Sequence, residues 1–231
     1  MTIAASVMDA SPARRPERIV LPGRVVSLVP LDADAHGEAL FRGSHGDEVR
    51  ERVWDYLFDG PFADLASFSA SLKKKAATLD PLFFAVLDNA TGKALGHAAY
   101  LRIEPAHRVI EVGHILYTPE LQQTIGATEA MYLMARYVFD ELKYRRYEWK
   151  CNALNAPSRR AALRFGFTFE GIFRQHMIIK GQNRDTAWFS MLDSEWPARK
   201  AAFEKWLDPG NFDEQGRQRE KLNTAGARSS G

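Results

Sequence analysis

The stretch LQQTIGATEA, Leu121 to Ala130, leads from the end of a strand-like run into a helical one. A helix that starts at the carboxyl edge of a sheet presents unpaired N–H groups there. With the helix dipole they favour an anion, a pyrophosphate in particular. Gly126 and Ala127 are small enough to let a ligand approach the backbone, and Thr124 and Thr128 can add hydroxyl contacts. The same residues also suit a plain helix N-terminus capped by threonine. Glu111 is a second candidate. It lies mid-strand between apolar neighbours, where burial would make its carboxylate a useful base, unless it simply points to solvent or pairs with an arginine. Ser158, in Asn-Ala-Pro-Ser, is placed to cap the helix that runs to Phe165.

Other residues carry weaker chemistry. His97, His107 and His114 fall on or beside neighbouring strands, but no close-spaced His/Cys pair accompanies them, so no metal is expected. Cys151 lies inside a strand with no histidine nearby in sequence and reads as packing. From Arg136 to Arg164 there are eight Lys or Arg against three acids, a local excess that suits phosphates. Tyr144, Tyr147 and Trp149 interleave with it. Strand alternation would bury some of these rings, so nucleic acid is not an expected partner.

The elements that must position these residues follow from periodicity. Val25 to Val29 is a short strand, and helical patterns follow after Asp32 and from Phe62 to Leu79. Leu82–Leu87, Ala94–Ile103 and Val109–Tyr117 form an antiparallel meander. From Ala127, apolar residues at three- and four-residue steps predict a helix of about five turns. A strand at Arg146–Asn152, a helix at Ala156–Phe165 and two strands, Thr168–Ile179 and Arg184–Leu192, complete the series; the last two are joined by a turn over Lys180 to Asn183. A further helix spans Ser194 to Leu207. Strand, helix, strand, helix in this order requires a right-handed crossover, hence an α/β fold with a mixed sheet.

The chain has 231 residues, 45% of them apolar, which excludes a disordered chain or a disulfide miniprotein. The net charge of +2 gives no chain-wide pull towards nucleic acid or membrane. A lone cysteine makes a reducing, cytoplasmic setting the expectation. The longest unbroken apolar run, PLFFAVL, is far short of the roughly 20 residues a bilayer requires, and MTIAASVMDA lacks the basic flank of a signal peptide. Residues 1–22 and 209–231 read as loose arms around a single domain at 23–208.

Several segments in order resemble the GNAT superfamily of acetyl-CoA-dependent N-acetyltransferases, in particular the ribosomal-protein N-terminal acetyltransferases RimJ and RimL. They are IEVGHILY (Ile110–Tyr117), QQTIGATEA, NAPSRRAALRFGFTFEGIFRQ (Asn155–Gln175), and the Arg184–Asp185 pair leading into FSMLDSEW. The resemblance covers roughly residues 24–196. It implies a mixed, mostly antiparallel seven-stranded sheet flanked by helices, with two strands splayed around the pantetheine arm of acetyl-CoA. The backbone of Ile115, Leu116 and Tyr117 would meet that arm, one N–H polarising the thioester carbonyl. The loop pattern Q/R-x-x-G-x-G/A places Gln122 first and Ala127 last, so that Gln122, Gln123, Thr124, Ile125, Gly126, Ala127 and Thr128 would hold the pyrophosphate. The pattern's middle glycine falls on Ile125, a β-branched residue that resists positive φ, so either an altered loop path or weaker cofactor binding is expected.

The resemblance further implies Glu111 as general base and Ser158 as proton donor to the leaving thiolate, with Asn155 contacting cofactor or acceptor; Arg159 and Arg160, just inside a helix N-terminus, are placed to reach the adenosine 3′-phosphate. RimL-like relatives carry a carboxylate where Met177 stands here, so Glu111 or a water-linked His176 must take that role. Direct transfer in a ternary complex, without a metal, is implied. The acceptor class is open among protein N-termini, amino acids, polyamines and antibiotic amines. Residues His45–Leu79 would border it, and Trp54, Tyr56, Phe58 and Phe62 with Asp55 and Asp59 suit a cationic, partly apolar amine unless they belong to the core. Relatives occur as monomers and dimers, which leaves a homodimer open. Ile125 and Met177 keep a second class in play, a non-catalytic acyl-CoA sensor or partner-binding module.

Overall fold

Leu82 to Val86 are all buried, yet they face opposite ways: Leu82, Phe84 and Val86 enter one core cluster, Phe83 and Ala85 another. A strand covered on both faces needs such an unbroken apolar run. It is the third of eight strands in the computed structural model, which describes residues 10–224. The sheet order is β1 (Leu21–Pro22), β2 (Val26–Pro30), β3 (Leu82–Asp88), β4 (Ala94–Glu104), β5 (Val109–Tyr117), β6 (Arg146–Asn152), β8 (Gln182–Leu192) and β7 (Thr168–Ile179). All neighbours are antiparallel except β5 and β6, which are parallel.

One face carries α4 (Ile125–Arg136), continued by a π-helical turn at Tyr137–Glu141, together with α5 (Ala156–Arg164) and α6 (Trp196–Leu207). The other carries α1 (Ala33–Ser44), the short α2 (Glu48–Glu51) and α3 (Leu65–Ala77). No helix among the described residues is long and apolar enough to cross a membrane.

Three differences from the sequence reading have physical causes. The sheet has eight strands rather than seven, because Leu21 and Pro22 pair with Leu28 and Ser27. The crossover helix begins at Ile125 rather than Ala127, since the Thr124 hydroxyl accepts from the Ala127 N–H at 3.2 Å and closes the first turn. The last hairpin turns on Lys180 and Gly181 alone, both at positive φ, which matches the twist of its strands. Of the expected arms, 1–9 and 225–231 lie outside the described residues. In the described parts, the Ala13 N–H donates to Pro105 O at 3.0 Å, Leu21 is buried, Phe212 packs on the core and the Thr224 hydroxyl donates to Arg164 O at 3.1 Å.

The crossover helix is keyed onto the sheet by Glu129. Its carboxylate accepts three consecutive backbone N–H groups, from Arg24 at 2.9 Å, Val25 at 2.6 Å and Val26 at 2.8 Å. One turn earlier, Gly126 lets the helix touch β2: a Cβ there would stand 2.7 Å from Val26 Cγ1. Beneath α3, His97 is buried with neither ring nitrogen hydrogen-bonded, and burial drives its pKa down from 6.5 to about 3.

Glu129→Ala leaves those three donors without their acceptor and is expected to cost about 3 kcal/mol, or about 10 °C in Tm for a chain of this size; a calorimetric scan checks it. His97 stays neutral in the folded chain while the unfolded ring titrates near 6.5. Stability is therefore expected to be complete above that pH and to fall as pH drops towards 4, by about 1.4 kcal/mol per pH unit for such a group. Urea unfolding at several pH values should show this decline flattened in His97→Leu.

Candidate active site

β5 and β6 run in register from Val109 opposite Arg146 to Val112 opposite Trp149, and then part. β5 stays with β4, Tyr117 opposite Gly96, while β6 stays with β8 as far as Asn152 opposite Thr186. A bulge helps the separation. Ala99 opposes Gly113 and His97 opposes Leu116, so β5 holds one extra residue, and His114 takes a φ of 49°. The gap opens into a cavity of about 950 Å³. From the side of α4 and α5 it is lined by Gln122, Gln123, Ala127, Asn155, Ser158 and Arg160; from the side of α1 to α3 by Arg52, Asp55, Tyr56 and Phe58, with Arg102, His176, Met177 and Arg184 beside them.

Glu111, Ile115, Tyr117, Gln122, Gln123, Ala127, Asn155 and Ser158 all line this cavity. Other expected residues have side chains engaged elsewhere. Leu116 is fully buried in the cluster under α1 and α3, and Gly126 packs on Val26. Thr124 caps α4, and the Thr128 hydroxyl accepts from Arg164 Nη1 at 2.9 Å. Arg159 donates to Ala153 O at 3.3 Å and lies 5.7 Å from the Phe169 ring; its neighbour Arg160 lines the cavity instead. Ile125 does not take positive φ. The left-handed residue of the loop is Gln123, at φ 61°, and Ile125 begins the helix with its side chain against the core. Gln122 Nε2 donates to Tyr117 O at 2.8 Å and ties the loop to the end of β5.

Glu111 is buried as expected, but not among apolar groups alone. Its Oε2 lies 2.6 Å from Arg102 Nη1 and 2.8 Å from Lys150 Nζ. Lys150, itself buried, also meets Glu148 at 2.6 Å and stands 3.8 Å above the Trp188 ring. Asn155, not Ser158, caps α5: its Oδ1 accepts from the Ser158 N–H at 3.0 Å. The Ser158 hydroxyl accepts instead from the Trp149 indole N–H at 3.0 Å, and its own proton points to the Cys151 thiol. Cys151 is a buried free thiol, pushed up from its ordinary pKa by burial.

On the acceptor side, His176 Nδ1 is 2.9 Å from the Thr186 hydroxyl. Partial burial, with the cations Arg102, Arg184 and Lys150 nearby, holds its pKa below the usual 6.5. His114, which also lines the cavity, is lowered to about 4 by burial. Tyr56 and Phe58 face the cavity, whereas Trp54 is core, its indole N–H donating to Ser44 O at 2.9 Å, and Phe62 packs beside it. Asp59 is bound by Lys75 at 2.5 Å and Ser71 at 3.2 Å, so Asp55 is the one member of that acidic pair at the cavity. Tyr144, Tyr147 and Trp149 are all buried in the main core. Among the described residues no group of three or more His, Cys, Asp or Glu is placed to hold a metal.

The pairing with an arginine that the sequence left open for Glu111 is made by Arg102; Lys150 as its second partner, and Trp149 as the group that orients Ser158, were not foreseen. Alternation along β6 places Glu148 and Lys150 on one face, but only the β5–β6 register brings them to Glu111.

A family model described as an acetyltransferase (GNAT) domain matches residues 26–168. The chain is similar to a GCN5-related N-acetyltransferase from Brucella melitensis, a solved structure 53% identical with a TM-score of 0.91, over 94% of this chain and 97% of that one. It is also similar to two Bacillus subtilis proteins. One, "Uncharacterized N-acetyltransferase YnaD", is 24% identical over 62% of this chain and 82% of its own length. The other, "Putative ribosomal N-acetyltransferase YdaF", is 27% identical over 47% of this chain, a match that spans 59% of that protein. With its splayed strands and this breadth of similarity, the chain belongs to the GNAT acetyltransferase family.

Proposed function

We propose that the chain transfers the acetyl group of acetyl-CoA directly to a primary amine, with both substrates bound at once. The observation that carries this reading is the cavity through the parted strands, reached from both faces of the sheet. The residues present suit that cosubstrate. The N-terminus of α4 and the left-handed Gln123 turn backbone N–H groups towards a diphosphate, Gln122 holds the loop against β5, and Arg160 supplies a cation near the α5 N-terminus. Past Val112 the edge of β5, from Ile115 to Tyr117, is unpaired with β6 and accepts an extended arm as a strand would.

Acetyl-CoA supplies the activated acetyl thioester. The β5 edge offers N–H groups for the charge that develops on its carbonyl oxygen. Ser158, oriented by Trp149, donates the proton that the departing sulfur needs. The attacking amine must lose a proton, and two residues are in place. Glu111 lines the cavity but spends its carboxylate on Arg102 and Lys150. His176, neutral at pH 7 because its pKa lies below 6.5, has one ring nitrogen on Thr186 and the other free, so we assign it as the base and Glu111 as the group that fixes the surrounding cations.

Calorimetric titration should show acetyl-CoA binding, and purified protein should release CoA with some members of an amine panel; absence of both would refute the reading. Ser158→Ala is expected to lower kcat by about 100-fold with little change in KM for acetyl-CoA. Activity should decline as pH falls through the His176 pKa, below about 6.5. His176→Gln should abolish that acidic limb and Glu111→Gln should retain it at lower turnover; the reverse pattern moves the base to Glu111.

A further inference from the structure

Among the charged side chains that the strands bring to the gap, all but Arg184 satisfy one another; off the strands, Asp55 and Arg160 also line the cavity without an ion pair among the described residues. Arg102 and Lys150 share Glu111, Lys150 and Arg146 share Glu148 at 2.6 Å each, and Arg146 also meets Glu170 at 2.6 Å. Three cations thus meet three carboxylates. Arg184 lines the same cavity, is only 7% exposed, and takes part in no ion pair among the described residues. Its Nε donates to the Thr186 hydroxyl at 3.2 Å, and its guanidinium lies 5.2 Å from the centre of the Phe58 ring. Those two contacts orient the group and leave its terminal N–H donors without a protein acceptor.

A cation buried this far without an opposite charge is unfavourable until an anion reaches it. Thr186 and Phe58 hold the planar fork in advance, the arrangement that suits bidentate capture of a carboxylate. Its neighbours Phe58 and His176 place it on the acceptor side, away from the helix N-termini that face a diphosphate. A polycationic acceptor would there confront Arg184, Arg102 and Lys150, with Glu111 already shared between the last two. The aromatic wall read from the sequence keeps Asp55, but the strands set these cations opposite it.

We propose that Arg184 binds a carboxylate of the acceptor, so that the amines acetylated here are ones that also carry an anionic group: free amino acids, or peptides whose first residues present an acidic side chain. This rests on the acetyltransferase reading above and narrows its substrate. Arg184 would act on binding, not on the transferred proton.

CoA release should be compared across L-amino acids and their amides, and across dipeptide amides that begin with Asp or Glu and their Asn or Gln counterparts. The first series reads an α-carboxylate, the second a side-chain one. Carboxylated members of at least one series are expected to exceed their neutral partners by about 10- to 100-fold in kcat/KM. In Arg184→Met that ratio should collapse towards one, chiefly through KM for the amine, and Arg184→Lys should keep part of it. A melting scan and an acetyl-CoA titration verify that each variant is folded. Turnover of amides or a polyamine as readily as the acids, or an unchanged ratio in Arg184→Met, would overturn the proposal while leaving the acetyltransferase reading intact. Failure of acetyl-CoA to bind would remove that reading instead. Calorimetric titration with N-acetyl amino acids and their amides needs no turnover: binding of the acids that is lost in Arg184→Met supports the carboxylate site, and no binding overturns it.

Discussion

The structure depends on a parallel pair of strands that is held together at one end and released at the other. β5 and β6 share only four paired positions, Val109 to Val112 with Arg146 to Trp149, and each then follows its outer neighbour. Two backbone edges that would normally satisfy each other are left facing a gap. Unpaired backbone polar groups are costly unless something completes them, which is why the proposed extended cosubstrate suits the gap. The bulge at His114 serves this separation, because one extra residue on β5 turns the strand away from its parallel partner.

What keeps the closed end shut lies largely on one face. Glu111 of β5 and Lys150 of β6 meet at 2.8 Å, and Lys150 is held further by Glu148 and the Trp188 ring. The side chains of Lys150 and Glu111 are both buried, so their attraction acts in a medium of low polarity and is sensitive to geometry. A charge chain of this kind cross-links β4, β5, β6 and β7 just where the sheet would otherwise begin to open. It also sets the electrostatic surroundings of the cavity, since it neutralises Arg102, Lys150 and Arg146 and leaves Arg184 as the strand cation without an ion pair among the described residues.

The opposite face is organised by helix placement. Glu129 collects three N–H groups from the start of β2, and Gly126 allows the first turn of α4 to touch Val26. The helix N-terminus is thereby held at the mouth of the gap. Its polar tip is available to a ligand because the side chains of Ile125 and Thr128 are occupied in the core and with Arg164.

Residues 82–87, 94–103, 109–117 and 146–152 announce strands by composition and alternation, and the crossover helix by its apolar period, so the architecture and the place of the helix N-terminus were legible in the chain. Those signals are local: side-chain period and turn chemistry act over a few residues. The added strand β1, the capping of α5 by Asn155 rather than Ser158, and the choice of Gln123 as the left-handed residue of the loop were not legible. Each depends on which of several near-equivalent groups wins a hydrogen bond once the backbone is in place. The ionic partners of Glu111 and the isolation of Arg184 are further from sequence still. They join β4, β5, β6 and β8 across register and twist, and pairwise electrostatics is set by distance and burial that no linear spacing encodes. The sequence by itself determined the elements and the family they compose; the tertiary structure alone decided which charges cancel and which stay unpaired at the cavity, because that depends on distances across the sheet.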